Sequence, residues 1–139
     1  MNEQEFKKRT KQLPLRVIRL VEALPESRTA EVIGKQLIRS ATSVGANYRS
    51  ACRGKSTADV IAKLSIVEEE ADESLYWMEL IVESGLISAD KLKSLMSETN
   101  EILAMTVASI KTLRNKPRSN SVTNGLNPKS KIQNPKFTI

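Results

Sequence analysis

The sequence predicts an all-α fold, an antiparallel up-down-up-down four-helix bundle followed by a disordered C-terminal tail. Up to Asn115, apolar residues recur at spacings of three and four in four separate stretches, the period of a helix with one buried face. No stretch alternates apolar and polar residues for long enough to form a strand. The short turns between the stretches favour antiparallel neighbours. A length of 139 residues suits one domain, residues 1–115, with a tail over residues 116–139.

The first helix is predicted to run from Glu3 or Arg9 to Leu24, because Pro25 cannot continue it. Pro14 lies inside this stretch, lacks a backbone donor and crowds the preceding turn. We therefore expect either a kink near residues 10–14 or a helix that starts there. The apolar stripe of this helix consists of Leu13, Val17, Leu20, Val21 and Leu24.

The second helix is expected to begin after a cap at Ser27 or Thr29 and to end at Gly54 in a left-handed conformation. Its buried stripe is predicted to be Ile33, Leu37, Ala41, Val44, Tyr48 and Ala51. A second edge consists of small residues, which allow a close helix contact or mark a kink at Gly45. These residues are Ser40, Ser43, Gly45, Ala46, Asn47 and Ser50.

Ser56, with Asp59 three residues later, predicts a capping box for the third helix, which Gly85 ends. Its seam is predicted to be Val60, Leu64, Val67, Ala71, Leu75, Met78 and Val82, widened by Ile61, Trp77 and Ile81. The fourth helix is expected to follow a cap at Ser88 and to end before Pro117. Its seam is predicted to be Leu92, Leu95, Thr99, Ile102, Thr106, Ile110 and Leu113.

The tail, residues 116–139, is rich in Asn, Pro, Ser and Lys and contains an imperfect seven-residue duplication that starts at Asn127 and at Asn134. No apolar period would bury a face of this segment, so we expect disorder. Two interpretations of the tail stay open. It is either a basic arm that holds nucleic acid electrostatically or an inert near-repeat.

The formal net charge of +6 is unevenly distributed along the chain. Residues 1–55 contain 12 bases and 5 acids, residues 56–115 contain 5 bases and 11 acids, and the tail contains 5 bases and no acid. One interpretation is mutual attraction between packed helices. The other is a basic face that is available to phosphates.

Histidine is absent and Cys52 is the only cysteine, which excludes several classes of protein. Hydrolases with a catalytic histidine and intramolecular disulfides are excluded, and we expect no zinc or haem site. No Walker or dinucleotide-binding motif is present, so we expect no enzymatic activity and no cofactor. Cys52 is expected to be a small buried or half-buried residue, and Arg49 and Arg53 are the nearby bases that could lower its thiol pKa.

Neither a signal peptide nor an apolar run of about 18–20 residues is present. We therefore expect a cytoplasmic protein without a membrane partner.

Five acids cluster in the middle of the third helix, namely Glu68, Glu69, Glu70, Asp72 and Glu73. The spacing of Glu69, Glu70 and Glu73 places carboxylates on one face, as in di-metal helix bundles, but those bundles complete each metal with a histidine. We expect instead that one or two acids turn inward and pair with Arg39, Asn47 or Arg49, because a buried charge requires a partner.

Basic residues are concentrated on the first two helices. Positive charge on a rigid surface binds phosphates, whereas the chain has few aromatic residues on which single-stranded bases could stack. Structured RNA or duplex DNA is therefore the expected type of nucleic acid. The candidate binding residues are Lys7, Lys8, Arg9, Lys11, Arg16, Arg19, Arg39, Arg49, Arg53 and Lys55.

Two segments resemble a known family. Residues 39–81 read RSATSVGANYRSACRGKSTADVIAKLSIVEEEADESLYWMELI, and residues 15–25 read LRVIRLVEALP. They resemble the four helix bundle protein family, also named 23S rRNA intervening-sequence protein or S23, over roughly residues 6–114. The most specific positions, which we expect to be structural, include Arg39, Ser43, Asn47, Asp59, Glu70, Glu73 and Trp77. The chain departs from the family pattern at Ser50, Val60 and Glu69.

The resemblance implies a bacterial antiparallel bundle that assembles as a homopentamer with a central channel. Some family members are encoded within insertions in large-subunit ribosomal RNA genes. A distant relative is the accessory subunit of a reverse transcriptase, where a basic ring contacts nucleic acid and the polymerase. No enzymatic activity is attached to the family.

The leading hypothesis is a non-enzymatic, oligomeric bundle that binds structured RNA or duplex DNA through a basic face of its first two helices. The alternative is a protein–protein interaction adaptor with no direct nucleic-acid role, for which a reverse transcriptase is one conceivable partner. A third and more distant hypothesis is an enzyme with a carboxylate metal site at Glu69, Glu70 and Glu73.

Overall fold

The computed structural model describes residues 1–116. Over these residues the chain forms four helices and no strand: α1 (Glu3–Glu22), α2 (Arg28–Ala51), α3 (Thr57–Glu83) and α4 (Ala89–Arg114). The prediction of an all-α fold is therefore confirmed for this part of the chain. The predicted tail lies outside the described residues, apart from Lys116.

Each helix packs against its neighbours in the chain. The second helix, α2, contacts both α1 and α3, whereas α4 contacts α3 extensively and α1 less so. On α1 and α2, Thr10 lies beside Gly45 and Val21 lies beside Gly34. Because the residue numbers rise on α1 as they fall on α2, these two helices run in opposite directions.

The apolar stripes of α2 and α4 are confirmed. All six predicted residues of α2 are buried, and so are the predicted residues of α4 except Leu113, which is half-buried. The α4 stripe includes two threonines, Thr99 and Thr106, whose hydroxyls donate to the carbonyls of Leu95 and Ile102 at 2.8 and 2.7 Å. Because each hydroxyl has an acceptor on its own helix, it can lie in an apolar core.

The first helix begins at Glu3, the earlier of its two predicted first residues. The Asn2 side chain accepts the N–H of Glu5 at 2.9 Å, and α1 continues through Pro14 without ending. The expected start near residues 10–14 is therefore wrong. The buried face begins at Phe6, whose ring meets the Tyr48 ring edge-on with centroids 4.7 Å apart. The buried residues of α1 are Phe6, Thr10, Leu13 and Val17, while Leu20, Val21 and Leu24 are only half-buried.

The prediction that Gly54 ends α2 in a left-handed conformation is wrong. Within residues 1–116, only Gly85 has a positive φ, of 80°. Glycine is required at position 54 for space, because a Cβ there would lie 2.5 Å from Cγ2 of Val60 and 3.1 Å from the carbonyl oxygen of Ala51. Gly54 therefore allows the start of α3 to fold back tightly against the end of α2.

The seam of α3 is shifted from the predicted one in its second half. Ser74 and Ile81 are buried, whereas Leu75 and Val82 are half-buried. The buried set follows a strict alternation of four and three residues, which keeps one side of a long helix towards its partners. Ser74 is polar but can lie in this buried seam, because its hydroxyl forms a hydrogen bond of 2.8 Å with the Ser40 hydroxyl of α2.

Three of the four helices begin with a side-chain cap. Ser27, rather than Thr29, accepts the N–H of Ala30 at 3.0 Å, and Ser56 accepts the N–H of Asp59 at 3.0 Å. Asp59 in turn accepts the N–H of Lys55 at 3.1 Å. Ser88 stands at the expected cap position of α4, but its side chain makes no capping hydrogen bond.

A candidate nucleic-acid interface between the first two helices

An open groove of about 420 Å³ runs between α1 and α2. Four basic residues line it: Lys7 and Lys11 from α1, Arg49 from α2, and Arg53 just beyond the end of α2. The remaining lining residues are uncharged, namely Pro14, Thr42, Gly45 and Ala46. No acidic residue of the described chain lines the groove, so its charge is entirely positive.

Helical spacing explains why these bases share one groove. Lys7 and Lys11 are four residues apart, which places both on one side of α1. Arg49 and Arg53 have the same separation along the end of α2. Since the two helices run antiparallel and in contact, each pair lies along one wall of the groove.

Gly45 and Pro14 shape the floor of the groove. A Cβ on Gly45 would lie only 2.6 Å from the carbonyl oxygen of Thr10, so the backbones of α1 and α2 approach closely at this point. Pro14 has no N–H to donate to that carbonyl four residues earlier. The small residues of α2 thus bring the two basic walls together, which is the close helix contact that the sequence predicted.

The four groove bases are not neutralised by the described protein. Their side chains form no ion pair and no hydrogen bond within residues 1–116. Lys11, Arg49 and Arg53 are exposed, and Lys7 is half-buried. These side chains are therefore available to an anion.

Arg9, by contrast, is engaged in hydrogen bonds between α1 and α4. Its Nε and Nη2 donate to the two carboxylate oxygens of Glu98 at 2.8 and 2.6 Å, and Nη2 also donates to Glu101 at 2.9 Å. The side chain is only 22% exposed, and the hydrogen bonds to Glu98 raise its pKa. Arg9 thus ties α1 to α4 and is turned away from the groove.

The other five candidate bases also lie outside the groove. Nη2 of Arg16 donates to the Ser94 hydroxyl of α4 at 3.0 Å. Arg39 pairs with Glu70 and Glu73 of α3. Lys8, Arg19 and Lys55 are exposed residues that do not line the groove. The structure therefore brings together four of the ten candidate residues.

Comparisons with known proteins identify the family. The profile of the 23S rRNA-intervening sequence protein family matches residues 2–108. The chain belongs to this family. It is also similar to the solved structure of a protein of unknown function from the S23 ribosomal protein family of Bacteroides thetaiotaomicron, with 33% sequence identity and a TM-score of 0.74. That match covers 80% of this chain and 99% of the other. No curated protein matches this chain significantly.

The residues that suggested the 23S rRNA-intervening sequence protein family meet mainly where α2 packs on α3. Arg39 donates to both oxygens of Glu70 at 3.3 Å and also to Glu73. Nε1 of Trp77 donates to the same Glu73 oxygen at 3.0 Å, and this hydrogen bond, more than the one from Arg39, lowers the pKa of Glu73. The expected pairing of one or two helix-three acids with Arg39 is confirmed, although at the surface of the bundle.

Ser43 and Asn47 interact within α2 and not across the bundle. The Asn47 amide donates to the carbonyl and to the hydroxyl of Ser43, at 2.9 and 2.8 Å. This contact fixes the amide along its own helix. The expected pairing of an acid with Asn47 or Arg49 does not occur within residues 1–116.

Cys52 is buried, as expected, at the end of α2. Burial raises the pKa of its thiol to about 11, with a further contribution from the nearby Glu3 carboxylate. The expectation that Arg49 and Arg53 lower this pKa is therefore wrong. A protonated thiol in a packed site is unreactive.

The described part of the chain has neither a cluster of metal ligands nor a helix that could span a membrane. Within residues 1–116, no three acidic or cysteine side chains are grouped so that they could hold a metal ion. None of the four described helices combines the length and the apolar character that a bilayer-spanning segment needs.

The sequence did not predict the uncharged floor of the groove. It placed Ala46 on a small edge of the second helix and predicted a kink or a helix start near Pro14, and it assigned Thr42 to neither feature. Two features of the sequence together predict the groove. Each of the two helices has a pair of bases four residues apart, and α2 has small residues where it faces α1.

Proposed function

We propose that this protein binds structured RNA or duplex DNA through the α1–α2 groove. The observation that supports the proposal is the convergence of Lys7, Lys11, Arg49 and Arg53 on one surface that contains no acid. Unpaired cations on a rigid surface attract phosphates, and the release of counterions from the nucleic acid drives the association. The proposal involves no chemical step and no cofactor.

The composition of the groove favours the phosphate backbone over the bases. Phe6 and Tyr48 are buried in the core, and Tyr76 and Trp77 belong to α3, so no aromatic ring of residues 1–116 lines the groove. Stacking of unpaired bases requires such rings. A duplex, whose phosphates lie on the outside, is therefore the better ligand.

Assembly into a homo-oligomer, a pentamer as the family resemblance implies, is part of the same proposal. Val32 and Tyr76 are 57% and 52% exposed, and a subunit contact would cover this apolar surface. Each additional copy adds another groove, so weak contacts become strong binding. We also propose that the bundle runs up-down-up-down throughout and that the protein acts in the cytoplasm.

A protein–protein adaptor is the second candidate function. The exposed Tyr76 of α3 and Val107 of α4 favour it, because they could equally contact a different protein. If the protein is such an adaptor, a partner will be recovered after nuclease treatment, and the groove bases will not affect its recovery.

The experiment that tests the proposal is binding of the full chain to a structured RNA and to duplex DNA over a series of salt concentrations. Three variants accompany the wild type: Lys11→Glu with Arg49→Glu, the matched control Lys91→Glu with Lys93→Glu, and a tail variant with Arg118, Lys129, Lys131 and Lys136 changed to Gln. We expect salt-sensitive binding that only the groove variant abolishes. If the tail variant alone loses binding, or if the wild type does not bind near physiological salt, the proposal is wrong.

A further inference from the structure

The positions of the groove bases along the helix axes have a consequence for the form of the ligand. The backbone of Lys11 lies beside Gly45, since its Cα is 3.8 Å from the position that a Gly45 Cβ would occupy. Arg53 lies eight residues beyond Gly45, a distance of about 12 Å along a helix axis. Lys7 and Arg49 lie between these two ends. The bases therefore form a row along the groove and not a compact cluster.

The length of this row matches a short run of phosphates. One strand of a duplex rises about 3.4 Å per phosphate along the axis and also winds around it, so its consecutive phosphates are about 6–7 Å apart and about 12 Å spans about three of them. Because Lys7 lies opposite Arg49, the four bases stand at three levels about 6 Å apart, and none of them is paired within residues 1–116. The spacing of these levels thus agrees with a single strand of the duplex.

The lining of the groove also suits phosphates. It offers cationic donors, the Thr42 hydroxyl and the apolar surfaces of Pro14 and Ala46. Lys, Arg and Thr side chains donate hydrogen bonds to phosphate oxygens, and such contacts position a protein along a strand. We infer that the α1–α2 groove follows one strand of a duplex over about three consecutive phosphates. This inference rests on the proposed function.

The inference is tested with the full chain and three duplexes of equal length. The first is unmodified. The second has one strand with neutral methylphosphonate linkages throughout, and the third has every second linkage neutral in both strands, so the last two carry equal charge. We expect the second duplex to retain the groove-dependent part of the salt slope, because one strand is intact. The third should lose about half of it, because only one or two of about three phosphates in the groove are then charged.

A charge-neutral groove variant defines the groove-dependent part of the slope. Lys7, Lys11, Arg49 and Arg53 are changed to Gln, and the control changes Arg28, Lys91, Lys93 and Lys111 to Gln, four exposed bases outside the groove. On the unmodified duplex, the groove variant should reduce the slope of log K against log salt by about 3, at about 0.9 per phosphate, and the control should not. Circular dichroism confirms that both variants are folded.

Two results would overturn the inference. Equal slopes on the two modified duplexes would show that total charge matters and that a continuous strand does not. A loss of slope that is the same in the groove variant and in the control would place the contact elsewhere on the protein. The first result would leave the proposed function standing, because the unmodified duplex would still be bound through the groove. The second result, like an absence of binding to any duplex, would overturn both the inference and the proposed function.

Discussion

The carbonyl oxygen of Thr10 lies directly against Gly45, at a distance of only 2.6 Å from where a Cβ on Gly45 would be. This carbonyl is the one that the N–H of residue 14 would normally bind, and residue 14 is a proline. The proline in α1 and the glycine in α2 are therefore two parts of the same contact. The contact also fixes the distance between the basic walls of the groove.

Replacement of Gly45 by alanine should destabilise the protein although alanine is the better helix former. The gain in helix propensity is about 1 kcal/mol. The added methyl group would be overpacked against a backbone atom, which cannot rotate away. This overpacking costs about 1–3 kcal/mol and pushes α1 away from α2. We expect a net loss of up to about 2 kcal/mol in the free energy of unfolding, measured with urea.

Gly34→Ala is the matched control for this prediction. A Cβ there would lie 2.8 Å from Cγ1 of Val21, a side-chain atom of a half-buried residue that can move. We expect this variant to be more stable than Gly45→Ala. The reverse order would show that the Thr10 contact does not determine how closely the two helices approach.

Arg9→Gln should weaken the fold and leave nucleic-acid binding unchanged. The variant loses the bidentate hydrogen bond to Glu98 and leaves this half-buried carboxylate without its charged partner. We expect a decrease of about 1–2 kcal/mol in the free energy of unfolding. Lys8→Gln serves as the control, because it also removes one positive charge, from the exposed residue that precedes Arg9. A reduced salt slope for Arg9→Gln alone would place Arg9 in the binding site.

The helices could be predicted from the sequence because their apolar periods are regular, whereas the polar residues of the core could not. The Ser40–Ser74 hydrogen bond exists only once α2 and α3 are packed together, and neither serine shows from its neighbours that it will be buried. The same limit applies to Arg9, for which the sequence predicted no partner and the packed structure reveals the carboxylates of Glu98 and Glu101. Arg39 differs, because the acids clustered on the third helix already predicted a partner for it.

The groove could be predicted only in part for a related reason. The sequence identified its four bases, because charge density is a local property of a helix. It could not distinguish these four from the other six candidate bases, because each wall of the groove faces a helix that is distant in the sequence. Gly54 shows a further difficulty, since glycine was read as a sign of a left-handed backbone and is needed there for space beside Val60.

Cys52 should react very slowly with thiol reagents in the folded protein. Its pKa of about 11 leaves about one molecule in a thousand as thiolate at pH 8, and the side chain is buried. We expect the rate of labelling to increase by at least about a hundredfold in denaturant, where the thiol has its ordinary pKa. Labelling by a coloured disulfide reagent measures both rates. Fast labelling without denaturant would mean that the end of α2 opens frequently.

Acidification should lower the stability of the protein because Glu73 becomes protonated, and the fluorescence of Trp77 should report the unfolding. Hydrogen bonds from Trp77 and Arg39 lower the pKa of Glu73 in the folded state, so its contribution is present above its unfolded pKa of about 4.3 and is lost as the pH falls through the lower folded value. We expect Glu73→Gln to show a smaller decrease in stability between pH 7 and pH 3 than the wild type, whereas the exposed control Glu69→Gln should match the wild type. Urea unfolding followed by the fluorescence of Trp77, the only tryptophan, measures this difference. If Glu73→Gln and the wild type lose equal stability, the Arg39–Glu73–Trp77 contact does not contribute to acid sensitivity.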